Sequence, residues 1–201
     1  MKVDVRSPEM TESSLPDWAF PPPGGFTTED LDRIPQLPAH TELIDGSLVF
    51  VSPQASFHML AVELLMIALR RAVPADLRAR REMSVVLGKR QRPEPDVCVI
   101  HASAEHSPEQ TAYRAEDVVL AVEVVSPDSE SRDRDRKPAL YAQAGIKHFW
   151  LVENQSGRPA VYVYELDPLA RSYVLTGIHH DRLKLSAPFD LDVDLTEIDS
   201  L

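Results

Sequence analysis

A single acidic residue, Glu123, interrupts an otherwise apolar run at residues 118–125. Apolar residues occupy both alternating faces of this run, which predicts a strand that is covered on both sides. A carboxylate in such a strand is removed from water, and leaving it ionised and unpaired would be very costly in free energy. The fold must therefore supply Glu123 with a proton, an opposite charge or a bound cation.

A second acid, Asp96, opens another apolar run at residues 96–100. The two runs are predicted as successive strands, so that their pairing would bring Asp96 and Glu123 close together. Mg²⁺ prefers oxygen ligands and typically takes one or two carboxylates together with waters and substrate phosphate. A lysine nearby would orient the attacking water or stabilise developing charge, and Lys137 is the candidate. The pattern predicts a divalent-metal site.

The position of Lys137 depends on how the following helix begins. In a helix over residues 129–144, Asp133, Lys137 and Tyr141 would share one face. Pro138 directly follows Lys137, and proline disfavours the helical conformation at the residue before it. The helix could instead begin at Pro138, with Lys137 just outside it.

The remaining patterns predict an α/β arrangement in one domain. Residues 1–36 are rich in Pro and Gly and read as an N-terminal segment, and residues 37–201 as the domain. The expected elements are a hairpin at residues 41–51 around an Asp-Gly turn, a helix at 54–72, strands at 83–87, 96–100 and 118–125, a helix at 129–144, a strand at 148–152, a hairpin of 161–164 with 173–175, and an edge strand at 189–195. Residues 101–115 are polar and are predicted as loop.

Composition limits the partners of the chain. No apolar stretch is long enough to span a membrane, the N-terminus lacks the apolar region of a secretory signal, and Cys98 is the only cysteine, so we expect a cytoplasmic protein. The net charge of −11 is unusual for a nucleic-acid binder, which normally carries a basic footprint. A nucleic-acid role would need a local basic patch, for which the candidates are Arg70, Arg71, Arg78, Arg80, Arg81, Lys89, Arg90, Arg92 and the charged run at residues 130–137.

Several motifs taken together resemble the Uma2 family of the PD-(D/E)XK nuclease superfamily. They are Glu42-Leu43-Ile44-Asp45-Gly46, Ser52-Pro53 with His58, Pro95-Asp96, Glu123-Val124-Val125-Ser126, Arg132-Asp133 with Lys137, Tyr141-Ala142-Gln143-Ala144-Gly145 and Phe149-Trp150-Leu151-Val152. The resemblance spans residues 37–190. It implies a restriction-endonuclease-like core of a helix, three strands, a helix and a strand, with an added N-terminal hairpin and C-terminal strands.

The resemblance also implies which residues hold the metal. In that superfamily two acids bind Mg²⁺ and phosphodiester hydrolysis follows; Asp96 matches the first acid and Glu123 the second. The superfamily pattern places a lysine two residues after the second acid, but Val125 stands there in this sequence. The resemblance therefore points to Lys137 on the following helix as the replacement.

Glu42 and His58 match further polar positions of the family and are expected to line the same cleft. The implied activity is that of a Mg²⁺-dependent endonuclease acting on DNA, with Mn²⁺ as a substitute metal. A homodimer is a plausible assembly, since cutting both strands of a duplex needs two sites.

Each of these residues also has an explanation without chemistry. Asp96 after a proline is compatible with a strand-start cap, and Glu123 with a buried ion pair to an arginine. Lys137 and Glu42 are of types that usually lie in solvent, and His58 faces apolar residues on its helix and is equally compatible with a satisfied core histidine. The alternative function is a nuclease-fold module that binds nucleic acid or protein with weak or no cleavage, which the negative charge favours.

Overall fold

The computed structural model describes residues 16–201, which form a mixed β-sheet with helices on both faces. The helices are α1 (Thr28–Leu31), α2 (Ser56–Ala72) and α3 (Lys137–Ala144). The strands are β1 (Glu42–Ile44), β2 (Ser47–Val49), β3 (Leu77–Arg81), β4 (Ser84–Val86), β5 (Val97–His101), β6 (Ala112–Arg114), β7 (Val118–Val124), β8 (His148–Gln155), β9 (Arg158–Asp167), β10 (Ser172–His179), β11 (Arg182–Leu185) and β12 (Leu191–Asp194).

Six strands form the central sheet in the order β10-β9-β8-β7-β5-β3. The β7–β8 pair is parallel, and α3 makes the crossover between these two strands. The other neighbours in the sheet are antiparallel. Three two-stranded sheets, β1-β2, β4-β6 and β11-β12, lie outside it. The predicted α/β arrangement is confirmed.

The two faces of the sheet are buried in two separate apolar clusters. On one face, α2 contributes Leu65 and Leu69 to a cluster that includes Val122 of β7. On the other face, Tyr141 of α3 packs with Ala121 of β7. Strand β7 is therefore covered on both sides, as its two apolar faces predicted.

The register of the central strands brings the two predicted metal ligands together. Val97 of β5 pairs with Val122 of β7 in an antiparallel ladder, so Asp96 and Glu123 lie at adjacent ends of the two strands. The backbone N–H of Val124 donates to Asp96 Oδ2 over 2.6 Å. Strand β5 begins at Val97, one residue later than predicted, so Asp96 lies just before the strand.

Two details of the strand prediction are wrong. The segment 83–87 forms β4, which pairs in parallel with β6 outside the central sheet, and β6 lies in the predicted loop. The edge of the central sheet is β3, which was not predicted. Leu77 and Ala79 are buried and Arg78 is exposed, but the arginines of this strand obscure the alternation of apolar and polar residues in the sequence. The predicted edge strand at 189–195 is present as β12, which pairs with β11 in a two-stranded sheet; Leu183 of β11 and Val193 of β12 both belong to the apolar cluster beneath α2.

The chain accommodates Pro138 by widening the helix before it. Residues Arg132–Arg136 form a π-turn, in which the N–H of Lys137 donates to the carbonyl of Arg132. Lys137 itself has helical angles, with φ −62° and ψ −46°. Since Pro138 has no N–H to place in the helical ladder, it fits at the start of α3 without a break. Lys137 is thus part of a helix, and the alternative start at Pro138 is wrong.

Part of the predicted N-terminal segment contacts the hairpin and its surroundings. The N–H of Phe26 donates to the carbonyl of Gly46 over 2.8 Å, and Asp32 forms an ion pair with Arg92 at 2.6 Å. The division into residues 1–36 and 37–201 stays a prediction. Residues 16–201 include no helix of the length and apolar character needed to cross a bilayer.

Candidate active site

A cavity of about 290 Å³ opens where the hairpin, α2, β5, β7 and the π-turn meet. It lies at the ends of β5 and β7 that carry the two acids. All five residues singled out from the sequence line it: Glu42, His58, Asp96, Glu123 and Lys137. The structure therefore brings together side chains from five separate segments of the chain.

Lys137 is the hub of this cluster. Its Nζ lies 2.9 Å from Glu42 Oε1, 3.0 Å from Glu123 Oε2 and 3.3 Å from Asp133 Oδ1. The side chain is only 6% exposed, so these carboxylates replace water around the ammonium group. A buried charge that is paired in this way is tolerated, whereas an unpaired one is not.

Glu123 is held by two donors from the same helix. Tyr141 OH donates to Glu123 Oε1 over 2.6 Å, and Lys137 occupies the other oxygen. The three residues Asp133, Lys137 and Tyr141 follow each other at intervals of four along the helix, as their predicted common face required. Glu123 is in a buried ion pair, but its partner is a lysine and not the arginine considered from the sequence.

Glu42 is positioned by the hairpin β1–β2. Its Oε1 also accepts the backbone N–H of Glu94 over 2.8 Å, and its side chain is 3% exposed. The hairpin turn is fixed to the π-turn, because Arg136 Nε donates to Asp45 Oδ2 over 2.7 Å. Glu42 is thus a buried residue of the cavity wall and not a solvated hairpin acid.

Asp96 and His58 form a second pair in the wall of the cavity. His58 Nε2, from α2, lies 3.1 Å from Asp96 Oδ1. Both side chains are largely buried, with 6% and 14% exposed, and Asp96 faces the cavity. His58 Nδ1 is buried and has no hydrogen-bond partner within residues 16–201. A core histidine that merely filled space would normally have both nitrogens satisfied.

The charges of the cluster are strongly coupled. Burial raises the pKa of Glu123 well above the usual carboxyl range; Lys137 lowers it, and the carboxylates of Asp133, Asp96 and Glu42 raise it further. Burial by itself would lower the pKa of Lys137, but the carboxylates of Glu123, Glu42, Asp133 and Asp96 together raise it well above the usual lysine value. Lys137 therefore keeps its proton at neutral pH, while Glu123 and Asp133, whose pKa values are raised, are harder to ionise than free carboxyls.

Three residues of the cluster were not among the five candidates. Asp133 and Tyr141 were on the predicted helix face of Lys137, and the four-residue spacing was the signal that identifies them. Glu94 is the third residue, and it also lines the cavity. Burial raises the pKa of both Asp133 and Glu94. Glu94 pairs with His40 at 2.5 Å, a contact between distant segments that no local pattern predicts.

Half of the basic residues considered for a nucleic-acid patch are paired with carboxylates. Arg92 is buried against Asp32, and Arg80 is paired with Glu105. Other pairs join Arg81 to Glu82, Arg134 to Glu130 and Glu153, and Arg136 to Asp45. Arg70, Arg71, Arg78, Lys89 and Arg90 have exposed side chains. The basic patch stays a prediction.

The donor set fits a small divalent cation in its chemistry. Within the part of the chain that the structure describes, no group of three His, Cys, Asp or Glu side chains is arranged to enclose a metal. Mg²⁺ does not need such a cage, since one or two carboxylates with waters and phosphate suffice. Asp96 and Glu123 supply two carboxylates at one cavity, and the mutual repulsion of the acids there favours a positive ion.

Replacing Tyr141 by Phe tests how much the cluster contributes to stability. The change leaves one oxygen of Glu123 without its donor, so we expect a loss of about 1–3 kcal/mol in the free energy of unfolding. Urea unfolding measures it. Tyr173→Phe is the matched control, since Tyr173 OH donates to the neutral carbonyl of Ile146 over 2.8 Å. If Tyr141→Phe cost less than Tyr173→Phe, the cluster would not be the tight charged network described above.

Comparison with known proteins identifies the family and the fold. A family model described as "Uma2: Putative restriction endonuclease" matches residues 28–196. No curated protein sequence matches the chain. A crystal structure described as "a putative nuclease belonging to DUF820 from Anabaena variabilis ATCC 29413" is similar in fold, with a TM-score of 0.66 and 17% identity over 87% of this chain and 98% of that one.

A second solved structure, E. coli MS115-1 NucC in its apo form, has a TM-score of 0.33 and 18% identity over 50% of this chain and 49% of that one, which is too little overlap to carry an argument. The match to the DUF820 protein extends over nearly the whole of that structure. The restriction-endonuclease-like fold class predicted from the sequence is confirmed. Because the family model covers most of the chain, the protein belongs to the Uma2 family.

Proposed function

We propose that this protein is a Mg²⁺-dependent endonuclease that hydrolyses phosphodiester bonds in DNA. The observation that carries the proposal is the common cavity of Asp96, Glu123 and Lys137, which places two acids from adjacent strands beside a buried lysine. The family description, which names restriction endonucleases, supports the same reaction class. Mn²⁺ would serve as a substitute ion, since it shares the preference of Mg²⁺ for carboxylate and water ligands.

In this proposal Asp96 and Glu123 hold the metal. A bound Mg²⁺ would lower the pKa of its water and offset the negative charge that develops on the phosphate. His58, at 3.1 Å from Asp96, keeps that carboxylate turned toward the cavity. The hydroxyl of Tyr141 holds the Glu123 carboxylate in position by donating a hydrogen bond to its Oε1.

Lys137 acts as a fixed positive charge. Because its pKa is raised well above the usual lysine value, it keeps its proton at neutral pH and does not accept one from water. Its three N–H donors already face carboxylates, so its role is to stabilise, through its charge, the negative charge that develops in the transition state. Glu42 and Asp133 hold the ammonium group in place and preserve its charge.

DNA would be contacted through exposed arginines and lysines, such as Lys89 and Arg90 on the segment before β5. A homodimer would supply the two sites that a double-strand cut requires. We propose a cytoplasmic location for this reaction.

The alternative is a binding module that retains the fold and cleaves weakly or not at all. Two observations favour it: the net charge of −11, and the direct ion pair between Lys137 and Glu123, which occupies one oxygen that a metal would need. This module would bind nucleic acid or protein at the same cavity.

Cleavage separates the two functions. Purified protein would be incubated with supercoiled plasmid, single-stranded DNA and RNA, each with Mg²⁺, with Mn²⁺ and with EDTA. The nuclease proposal expects DNA to be cut with either metal and to stay intact with EDTA. Cutting of RNA alone would correct the substrate, and no cutting of any substrate would leave the binding module as the better account.

A further inference from the structure

We infer that Arg132 binds a backbone phosphate of the nucleic acid that enters the cavity. This inference rests on the proposed function, because it assumes that the substrate carries phosphodiesters. It concerns a residue of the cavity wall that holds neither the metal nor Lys137. Arg132 would position the substrate through an ionic contact to one of its phosphates.

The hydrogen bonding of Arg132 is incomplete. The residue lines the cavity and is partly buried, and its Nε is shielded from solvent without a hydrogen-bond partner within residues 16–201. Buried polar groups in native proteins are almost always paired, so an exception calls for an explanation. A bound anion that completes the hydrogen bonding of the guanidinium group supplies one.

The other basic side chains of the cavity wall are already paired with carboxylates. Lys137 is bound to three carboxylates, His58 to Asp96 and His40 to Glu94. The neighbouring Arg134 is paired with Glu130 and Glu153. Among the described residues, Arg132 is therefore the cavity-lining cation that has no carboxylate partner.

The acidic walls make such a cation necessary. A phosphodiester approaching Asp96, Glu123 and the neighbouring acids meets strong repulsion, which a single metal ion offsets only in part. The planar guanidinium group presents several N–H donors in a geometry that matches two phosphate oxygens. Arg132 also begins the π-turn that leads to Lys137, and such turns occur often at functional sites.

The test compares Arg132→Gln and Arg132→Lys with the wild type. Arg158→Gln is the matched control, because Arg158 is exposed and pairs with Asp199, outside the cavity. Fluorescence anisotropy with a labelled duplex would measure affinity over a range of KCl concentrations, with Ca²⁺ replacing Mg²⁺ to limit cleavage. Plasmid cleavage with Mg²⁺ and Mn²⁺ binding without DNA would be measured on the same preparations.

We expect Arg132→Gln to weaken DNA binding about tenfold to a hundredfold, since a charge-assisted hydrogen bond is lost. The salt dependence should lose about 0.9 from its slope, the amount for one phosphate contact on a duplex. Arg132→Lys should restore the slope and only part of the affinity, while Mn²⁺ binding and Arg158→Gln should match the wild type.

The outcomes separate this inference from the proposed function. If Arg132→Gln binds DNA with unchanged affinity and salt slope while the wild type cuts DNA, the inference is wrong and the nuclease stands. If the slope falls but no protein cuts DNA, Arg132 contacts phosphate in a binding module. A wild type that neither binds nor cuts nucleic acid would overturn both.

Discussion

Replacing Lys137 by Met is expected to destabilise the protein by about 3–5 kcal/mol, the usual cost of removing one partner of a buried ion pair. The methionine fills a similar volume but leaves Glu42, Glu123 and Asp133 without the ammonium group that lies within 3.3 Å of each. Three buried carboxylates would then repel each other. Urea unfolding of the metal-free protein measures the loss.

The free energy of unfolding of Lys137→Met should depend on pH in a way that identifies the cause of the lost stability. Burial already raises the pKa of Glu123 and Asp133, and without Lys137 both are raised further. The folded state then holds protons that the unfolded state releases, so stability falls as pH rises through the raised values. Lowering the pH below them should therefore restore part of the lost free energy of unfolding.

Two controls identify the cause. Lys147→Met removes an exposed lysine and should change stability by no more than about 0.5 kcal/mol. Adding Glu123→Gln to Lys137→Met removes one of the stranded charges, so the double variant should be more stable than Lys137→Met alone. A Lys137→Met protein as stable as the wild type at neutral pH would mean that the buried cluster is not charged as described.

The central sheet was largely predictable because the pattern of apolar residues in most of its strands indicates which faces are buried. The run around Glu123 has apolar residues on both faces, and this alone predicts an inner strand. Strand β3 was missed because Arg78, Arg80 and Arg81 dominate its five residues, although the alternation of Leu77 and Ala79 defines its buried face. The π-turn was also missed, since it follows from where Pro138 falls in a helix that tertiary contacts hold together.

The candidate site was partly predictable for a similar reason. Lys137 and its neighbours on the helix share a face by simple periodicity, so local spacing brought them together. Glu94 reaches the cavity from a segment whose position depends on long-range packing, whereas Arg132 lies in the charged run at residues 130–137, whose pairing the sequence does not reveal. Glu94 lies in a proline-rich stretch without periodicity. Among the described residues Arg132 has no carboxylate partner, and this becomes apparent only when the ion pairs of Arg134 and Arg136 are known.

Replacing Glu123 by Gln is expected to remove metal-dependent cleavage while the fold is kept. The amide has the size of the carboxyl group and still accepts the hydrogen bond from Tyr141 OH. It removes a buried negative charge that a divalent cation would need. Loss of groups that merely orient metal ligands costs about 10–100-fold, so loss of a direct ligand should cost more than about 100-fold in rate. Glu165→Gln is the matched control, because Glu165 is an exposed residue of β9.

The central claim is that the cavity of Asp96 and Glu123 performs metal-dependent cleavage. The most direct measurement is the rate of plasmid cleavage with Mg²⁺ for the wild type, Glu123→Gln and Glu165→Gln, with circular dichroism to verify that each is folded. We expect the wild type and Glu165→Gln to cut the plasmid with Mg²⁺. We expect no cutting in EDTA and no cutting by Glu123→Gln. A folded Glu123→Gln protein that cuts DNA at the wild-type rate would contradict the central claim.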